Sequence, residues 1–142
     1  DPEGDQVLRE VQEAASQDKD IFIINLPPDA HTEINALQRA ATVILQKSTK
    51  EGFGLTVAEG MWKGKPVIGG AVGGITAQIH YGETGFIVSS VEGCAYRIRY
   101  LLNNPEESAL IGEKAKEYTR RNFLIIRHLC DYCSLMVSQL NA

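Results

Sequence analysis

Apolar positions along the chain recur in two periods, and the switches between them divide it into elements. From Gln6 to Ser16, Val7, Val11 and Ala14 lie on one helical stripe, with Leu8 and Ala15 beside them. Ile21-Phe22-Ile23-Ile24 is a short, β-branched run that reads as a strand buried on both faces, ended by Pro27-Pro28-Asp29. A helix is predicted from about Thr32 to Ala40 with Ile34 and Leu37 inward, then a second buried strand over Thr42 to Leu45. The unit repeats. A glycine-rich turn at Glu51-Gly52-Phe53-Gly54 leads into a helix from about Leu55 to Lys63, which Gly64 is placed to stop. Pro66-Val67-Ile68 reads as a third strand. The glycine-dense 69–74 loop and a brief helical turn over Ile75–Ile79 come next, then a turn at 81–85 and a fourth strand, Phe86-Ile87-Val88.

Beyond this point the pattern is helical. Val91, Cys94, Ile98 and Leu101 form one stripe, and Pro105 opens a helix with Ile111, Ala115 and Tyr118 inward. The last helix runs from about Leu124 to Leu140 and carries Ile126, Leu129, Cys130, Cys133, Met136 and Leu140. Strands alternating with helices predict an α/β fold: a Rossmann-like, doubly wound parallel sheet with a helical C-terminus. Ligands of such sheets bind beyond the carboxyl ends of the strands, where both glycine-rich loops fall.

Bulk properties narrow the function. The chain has 142 residues, 44% of them hydrophobic, which is one domain's worth of core. Fourteen basic against 18 acidic residues leave a net charge of -4 without a long basic run, which argues against a nucleic-acid partner. No apolar stretch approaches a membrane span. The acidic start does not read as a signal peptide. Three cysteines are an odd count for a disulfide framework and fit reduced thiols in a cytoplasmic protein. Cys130 and Cys133, with His128 nearby, supply too few ligands for a structural metal and share an apolar stripe, so core packing explains them. Trp62 reads as a core residue. His31 and His80 have no triad arrangement around them, and Arg120-Arg121 suits the C-terminal end of a helix.

The most informative stretch is Glu51-Gly-Phe-Gly-Leu-Thr-Val-Ala-Glu59. Glycines at 52 and 54 let the backbone approach a ligand, and the helix start beyond them presents unpaired N–H groups and a positive dipole end suited to phosphate. A carboxylate on either side can accept hydrogen bonds from sugar hydroxyls. Thr56-x-x-Glu59 also fits a capping box, the simpler reading of those two residues alone. Phe53 reads equally as a packing residue or a ligand-facing one.

Three blocks in order place this stretch in context: Glu51-Gly-Phe-Gly-Leu with Glu59; Gly64-Lys-Pro-Val-Ile followed by Gly73-Gly74; and Gly82-Glu-Thr-Gly-Phe-Ile-Val88. Together they resemble the C-terminal domain of the retaining GT-B glycosyltransferases, the group that includes sucrose-phosphate, trehalose and bacterial glycogen synthases. Asn35–Ala40, Val43–Gln46, Met61–Gly69, Ala71–Ile75 and Gln78 are similar to the archaeal-type trehalose glycosyltransferring synthases. The resemblance implies that residues 1–142 are a donor-binding domain, the C-terminal half of a GT-B fold, truncated at its N-terminus and lacking the acceptor domain. The donor is then a nucleoside diphosphate glucose (ADP-, UDP- or GDP-glucose) and the acceptor is glucose.

Carried onto this chain, the resemblance gives Glu51 a catalytic role on a donor-sugar hydroxyl and Glu59 the ribose hydroxyls. Gly52, Phe53, Gly54, Leu55 and Thr56 complete the donor-binding loop, and the segment near Leu26 and Pro27 lies by the base. No metal and no cofactor are implied. An Arg and a Lys that grip the diphosphate in relatives lie upstream of position 1, so weak donor binding and little turnover are expected of this chain. Gly70 departs from the pattern, since close relatives carry a basic residue there. Other acceptors, an α-glucan or a lipid-linked sugar, and a non-catalytic nucleotide-binding or interaction module are the competing readings. Missing first strands would leave an exposed sheet edge, which invites a homo-oligomer.

Overall fold

The computed structural model describes residues 2–140, which divide into two compact units, Asp1–Glu33 and Ile34–Ala142. The first contains helix α1 (Pro2–Ala15) and an extended segment. Helix α2 (His31–Ala40) begins at its end. In the second unit follow β1 (Ile44–Gln46), α3 (Leu55–Trp62), β2 (Val67–Gly70), α4 (Ile75–Gln78), β3 (Gly85–Val88), α5 (Val91–Asn103), α6 (Pro105–Asn122) and α7 (Ile125–Leu140).

The three strands form a parallel sheet in the order β1-β2-β3, with Ile44 opposite Val67 and Val67 opposite Gly85. Alternation along the strands splits the core in two. Ile44 and Val67 pack with Val57 and Met61 of α3, Ile75 and Ile79 at α4, and Ala115 of α6. Ile68, Phe86 and Val88 pack on the other face with Cys94 and Leu101 of α5 and Ile111 of α6. Helices thus cover both faces, the doubly wound arrangement expected from the strand–helix alternation.

Two glycines set how closely these layers approach. A Cβ on Gly60 would stand 2.8 Å from Ile44 Cδ1, so glycine lets α3 lie against β1. A Cβ on Gly69 would stand 2.4 Å from Ile75 Cγ2, so glycine lets α4 settle onto β2. Gly64, with φ +70°, ends the turn after α3 as its place in the sequence predicts. In α6, Pro105 opens the helix, with Glu106 and Glu107 in the first turn and Arg120 and Arg121 in the last. Both arginines also bond Glu117, whose carboxyl they hold down to about 2.

Several expectations are corrected. Ile21–Ile24 forms no strand; no ladder partner meets it among the described residues, and all four side chains are exposed. Ile34 and Leu37 of α2 are exposed, and the buried residue of that helix is Gln38. Trp62 is 40% exposed, with the Lys116 ammonium over its ring at 5.8 Å. Helix α7 forms as predicted but buries no residue, so Cys130 and Cys133 are exposed thiols rather than core. Cys94 is buried as expected.

Candidate functional site

The site is built where β1 hands over to α3. Gly54 precedes the helix with φ +86° and ψ +66°, a left-handed conformation that turns the chain into its first turn. Its carbonyl accepts the Val57 N–H at 3.0 Å. Thr56 therefore sits one residue inside the helix, and no side chain caps the start. The capping-box reading of Thr56 and Glu59 is not realised; Glu59 bonds elsewhere. Among the described residues, the N–H groups of Phe53, Gly54, Leu55 and Thr56 make no hydrogen bond. Four adjacent donors at a positive helix end can serve as an anion cradle. The Leu55 side chain is 69% exposed beside it.

Each glutamate is held by its own partners. Glu51 Oε2 accepts from Gln46 Nε2 and from Ser48 Oγ, both at 3.3 Å, and Oε1 accepts from the Gly52 N–H at 3.1 Å. The carboxylate is thereby fixed to the carboxyl end of β1. Glu59 Oε2 accepts from Gln38 Nε2 at 2.8 Å, which ties it to α2. The two carboxylates flank this stretch in the sequence and are held by separate supports, with no hydrogen-bonding residue in common.

The neighbouring loop closes the site from behind. The Gly74 N–H donates to the Gly52 carbonyl at 3.0 Å. Gly73 has φ +45°, and a Cβ there would lie 1.7 Å from the Glu51 carbonyl oxygen. The two glycine-rich loops meet backbone to backbone, which explains the glycine density of both. Gln78 of α4 reaches into this seam, donating to the carbonyls of Phe53, of Gly54 at 3.4 Å and of Gly74 at 3.4 Å. Phe53 is 42% exposed and meets Phe123 edge-on at 5.8 Å, so it packs on one side and faces solvent on the other.

A cleft of about 380 Å³ opens at the carboxyl ends of the three strands, lined in part by Lys47, Ser48, Gly70 and Ser89. Ser48 joins it to Glu51. Lys47 Nζ crosses it to the Val88 carbonyl at 3.4 Å. A Cβ at Gly70 would stand 2.9 Å from the Ser48 carbonyl oxygen, so a side chain there requires the β1 end to move. His80 bonds Tyr118 Oη at 3.1 Å. Among the described residues no group of three or more His, Cys, Asp and Glu is placed to hold a metal.

Nothing in the local sequence around Gln38, Gln46 or Ser48 signals a role for them at the site. Their side-chain bonds to the glutamates depend on the folded juxtaposition, and for Gln38 the partner lies 21 residues away. Replacing Gln38 by Leu is expected to leave the fold intact while freeing Glu59 to adopt several rotamers. Nuclear magnetic resonance should then show averaged χ1 couplings at Glu59 where the wild-type chain shows one conformer.

The family model for glycosyl transferases group 1 matches residues 2–118. The chain is 48% identical to the trehalose synthase of Pyrococcus horikoshii and 41% identical to that of Rubrobacter xylanophilus. These matches cover 97% and 92% of this chain but only 34% and 32% of those proteins, so the chain spans about a third of their length. Among solved structures, Anabaena HepE in complex with UDP and glucose matches with a TM-score of 0.82 at 20% identity, over 95% of this chain and 38% of that one. The C-terminal domain of a group 1 glycosyl transferase from Francisella tularensis, LpcC, matches with a TM-score of 0.73 at 25% identity, over 87% of this chain and 64% of that one. The fold is therefore the C-terminal half of a GT-B fold, and the chain belongs to the group 1 glycosyltransferases.

Proposed function

We propose that residues 51–59 are the donor subsite of a retaining glucosyltransferase that moves glucose from a nucleoside diphosphate glucose to glucose, forming trehalose. The observation that carries the reading is the row of four unpaired N–H groups at 53–56, flanked in the sequence by two carboxylates that are each already held in place. A nucleotide sugar has the matching layout: two hydroxyl-bearing rings on either side of a diphosphate. Glu59 accepts from the ribose hydroxyls, and Glu51 accepts from a hydroxyl of the donor glucose. The N–H groups and the α3 dipole meet the diphosphate between them.

Charge builds on that diphosphate as the glycosidic bond breaks. Fixed donors that need no reorganisation stabilise the leaving group, the usual origin of large electrostatic rate effects. The trehalose-forming assignment draws on the relatives named trehalose synthase. The acceptor is held by a part of the protein outside these residues, and the chain works in the cytoplasm, where its three free thiols stay reduced.

The test is a ¹H–¹⁵N titration of the chain with ADP-, UDP- and GDP-glucose to millimolar concentration. The amide signals of 53–56 are expected to shift first and furthest with at least one of the three. No shift at these four amides with any donor removes the reading.

A further inference from the structure

Gln78, in the seam between the two glycine-rich loops, is a fully buried side chain with hydrogen-bonding atoms at its tip. It stands at the end of α4, which the absence of a side chain at Gly69 lets settle onto β2. Its Nε2 faces three carbonyl oxygens, those of Phe53, Gly54 and Gly74. Its Oε1 is buried and has no partner. A buried carboxamide with one end unsatisfied is a poor filler compared with a hydrocarbon of equal size. What favours glutamine here is its donor end.

We propose that Gln78 is a positioning residue of the donor subsite: its carboxamide grips the carbonyls of Phe53 and Gly54 and so turns the N–H groups of Gly54 and Leu55 outward toward the diphosphate of a nucleotide sugar. The inference rests on the donor-site reading given above. Its geometry is that of the trans peptide, in which the C=O of one residue and the N–H of the next point to opposite sides. No cis bond interrupts this stretch. Drawing the Phe53 carbonyl inward points the Gly54 N–H outward, and drawing the Gly54 carbonyl inward does the same for Leu55. Neither N–H has a partner within the described residues, as a ligand-facing group requires.

The experiment compares the wild-type chain with Gln78→Met, which keeps the length and volume of the side chain and loses the donor. Thermal unfolding and titration with the donor glucose nucleotides are measured on both. The melting temperature of Gln78→Met is expected to stay within a few degrees of the wild type, since removal of the unsatisfied oxygen offsets the carbonyls left without their donor. Donor affinity is expected to fall about tenfold or more, with the amide signals of Gly54 and Leu55 broadened or displaced in the free chain. Affinity within twofold of wild type in a folded Gln78→Met overturns the proposal.

Should the variant fail to fold, exchange of the Gln78 side-chain NH₂ protons in the wild-type chain decides. Protection by orders of magnitude over a free amide supports the grip, and exchange at the free rate overturns it. A wild-type chain that binds none of the donors overturns the donor-site reading, and the NH₂ exchange still reports separately on the anchoring of the loop.

Discussion

Gly73→Ala is expected to destabilise the chain by about 3 kcal/mol and to abolish donor binding, a large effect for adding one methyl group. Two costs combine. The backbone at 73 has φ +45°, a left-handed conformation that costs an L-residue roughly 1–2 kcal/mol. The new Cβ would also lie 1.7 Å from the Glu51 carbonyl oxygen and 2.9 Å from its carbon. These are backbone atoms and cannot rotate away, so the 51–54 loop has to retreat. That movement pulls Glu51 from Gln46 and Ser48 and breaks the seam in which Gln78 holds Phe53.

Two controls separate this from a general intolerance of alanine. At Gly52 a Cβ meets nothing within 4 Å, so Gly52→Ala is expected to stay within about 0.5 kcal/mol of wild type. At Gly112 a Cβ would stand 2.1 Å from the Gly64 carbonyl oxygen, where α6 passes the end of α3. Gly112→Ala is expected to lower stability while the remaining folded molecules bind donor normally. Urea unfolding together with a donor titration checks all three. Gly73→Ala with wild-type affinity in its folded fraction would show that the contact between the loops does not shape the site.

The parts of this arrangement that could be read from the chain are those set by short-range chemistry. Gly54 before an apolar-periodic run marked the start of α3, Gly64 marked its end, and the apolar runs at Thr42–Leu45, Pro66–Ile68 and Phe86–Val88 became the parallel strands Ile44–Gln46, Val67–Gly70 and Gly85–Val88. The failures share a cause. A periodic pattern reports that a segment can be a helix or a strand, not what covers it. Helix α7 has a clean apolar stripe, yet Ile126, Leu129 and Met136 are exposed. Ile21–Ile24 has strand composition, yet a strand exists only as one half of a pair. Trp62 was expected inside from its apolar character, but its place on α3 turns it outward.

The carboxamides illustrate the same limit at the site. Gln38 bonds Glu59 across 21 residues, and Gln78 bonds Phe53 across 25. Glutamine carries no charge and no strong positional preference, so nothing in its local surroundings announces either role. The glutamates were singled out by the three-block resemblance, since Thr56-x-x-Glu59 alone reads as a capping box. Their supports were not, because those depend on how α2 and α4 are placed against α3.

Replacing the two glutamates one at a time is expected to divide donor recognition into its two ends. Glu59→Ala should weaken a nucleoside diphosphate and the corresponding nucleoside diphosphate glucose by the same factor, about 10- to 100-fold, because a carboxylate hydrogen bond to a hydroxyl contributes roughly 1.5–3 kcal/mol. The ribose is common to both ligands, so their affinity ratio is unchanged. Glu51→Ala should leave the nucleoside diphosphate nearly as tight as in wild type and weaken only the glucose-bearing ligand, since the hydroxyl it accepts from is missing in the other. The pattern follows from the separate supports of the two carboxylates: Glu51 is fixed to β1 through Gln46 and Ser48, and Glu59 to α2 through Gln38, so removing one leaves the other in place. Calorimetric or spectroscopic titration of both variants with both ligands completes the set. Equal losses for the two ligands in Glu51→Ala would place that side chain on the diphosphate or the nucleoside, and would take from it the sugar-binding role on which the proposed chemistry depends.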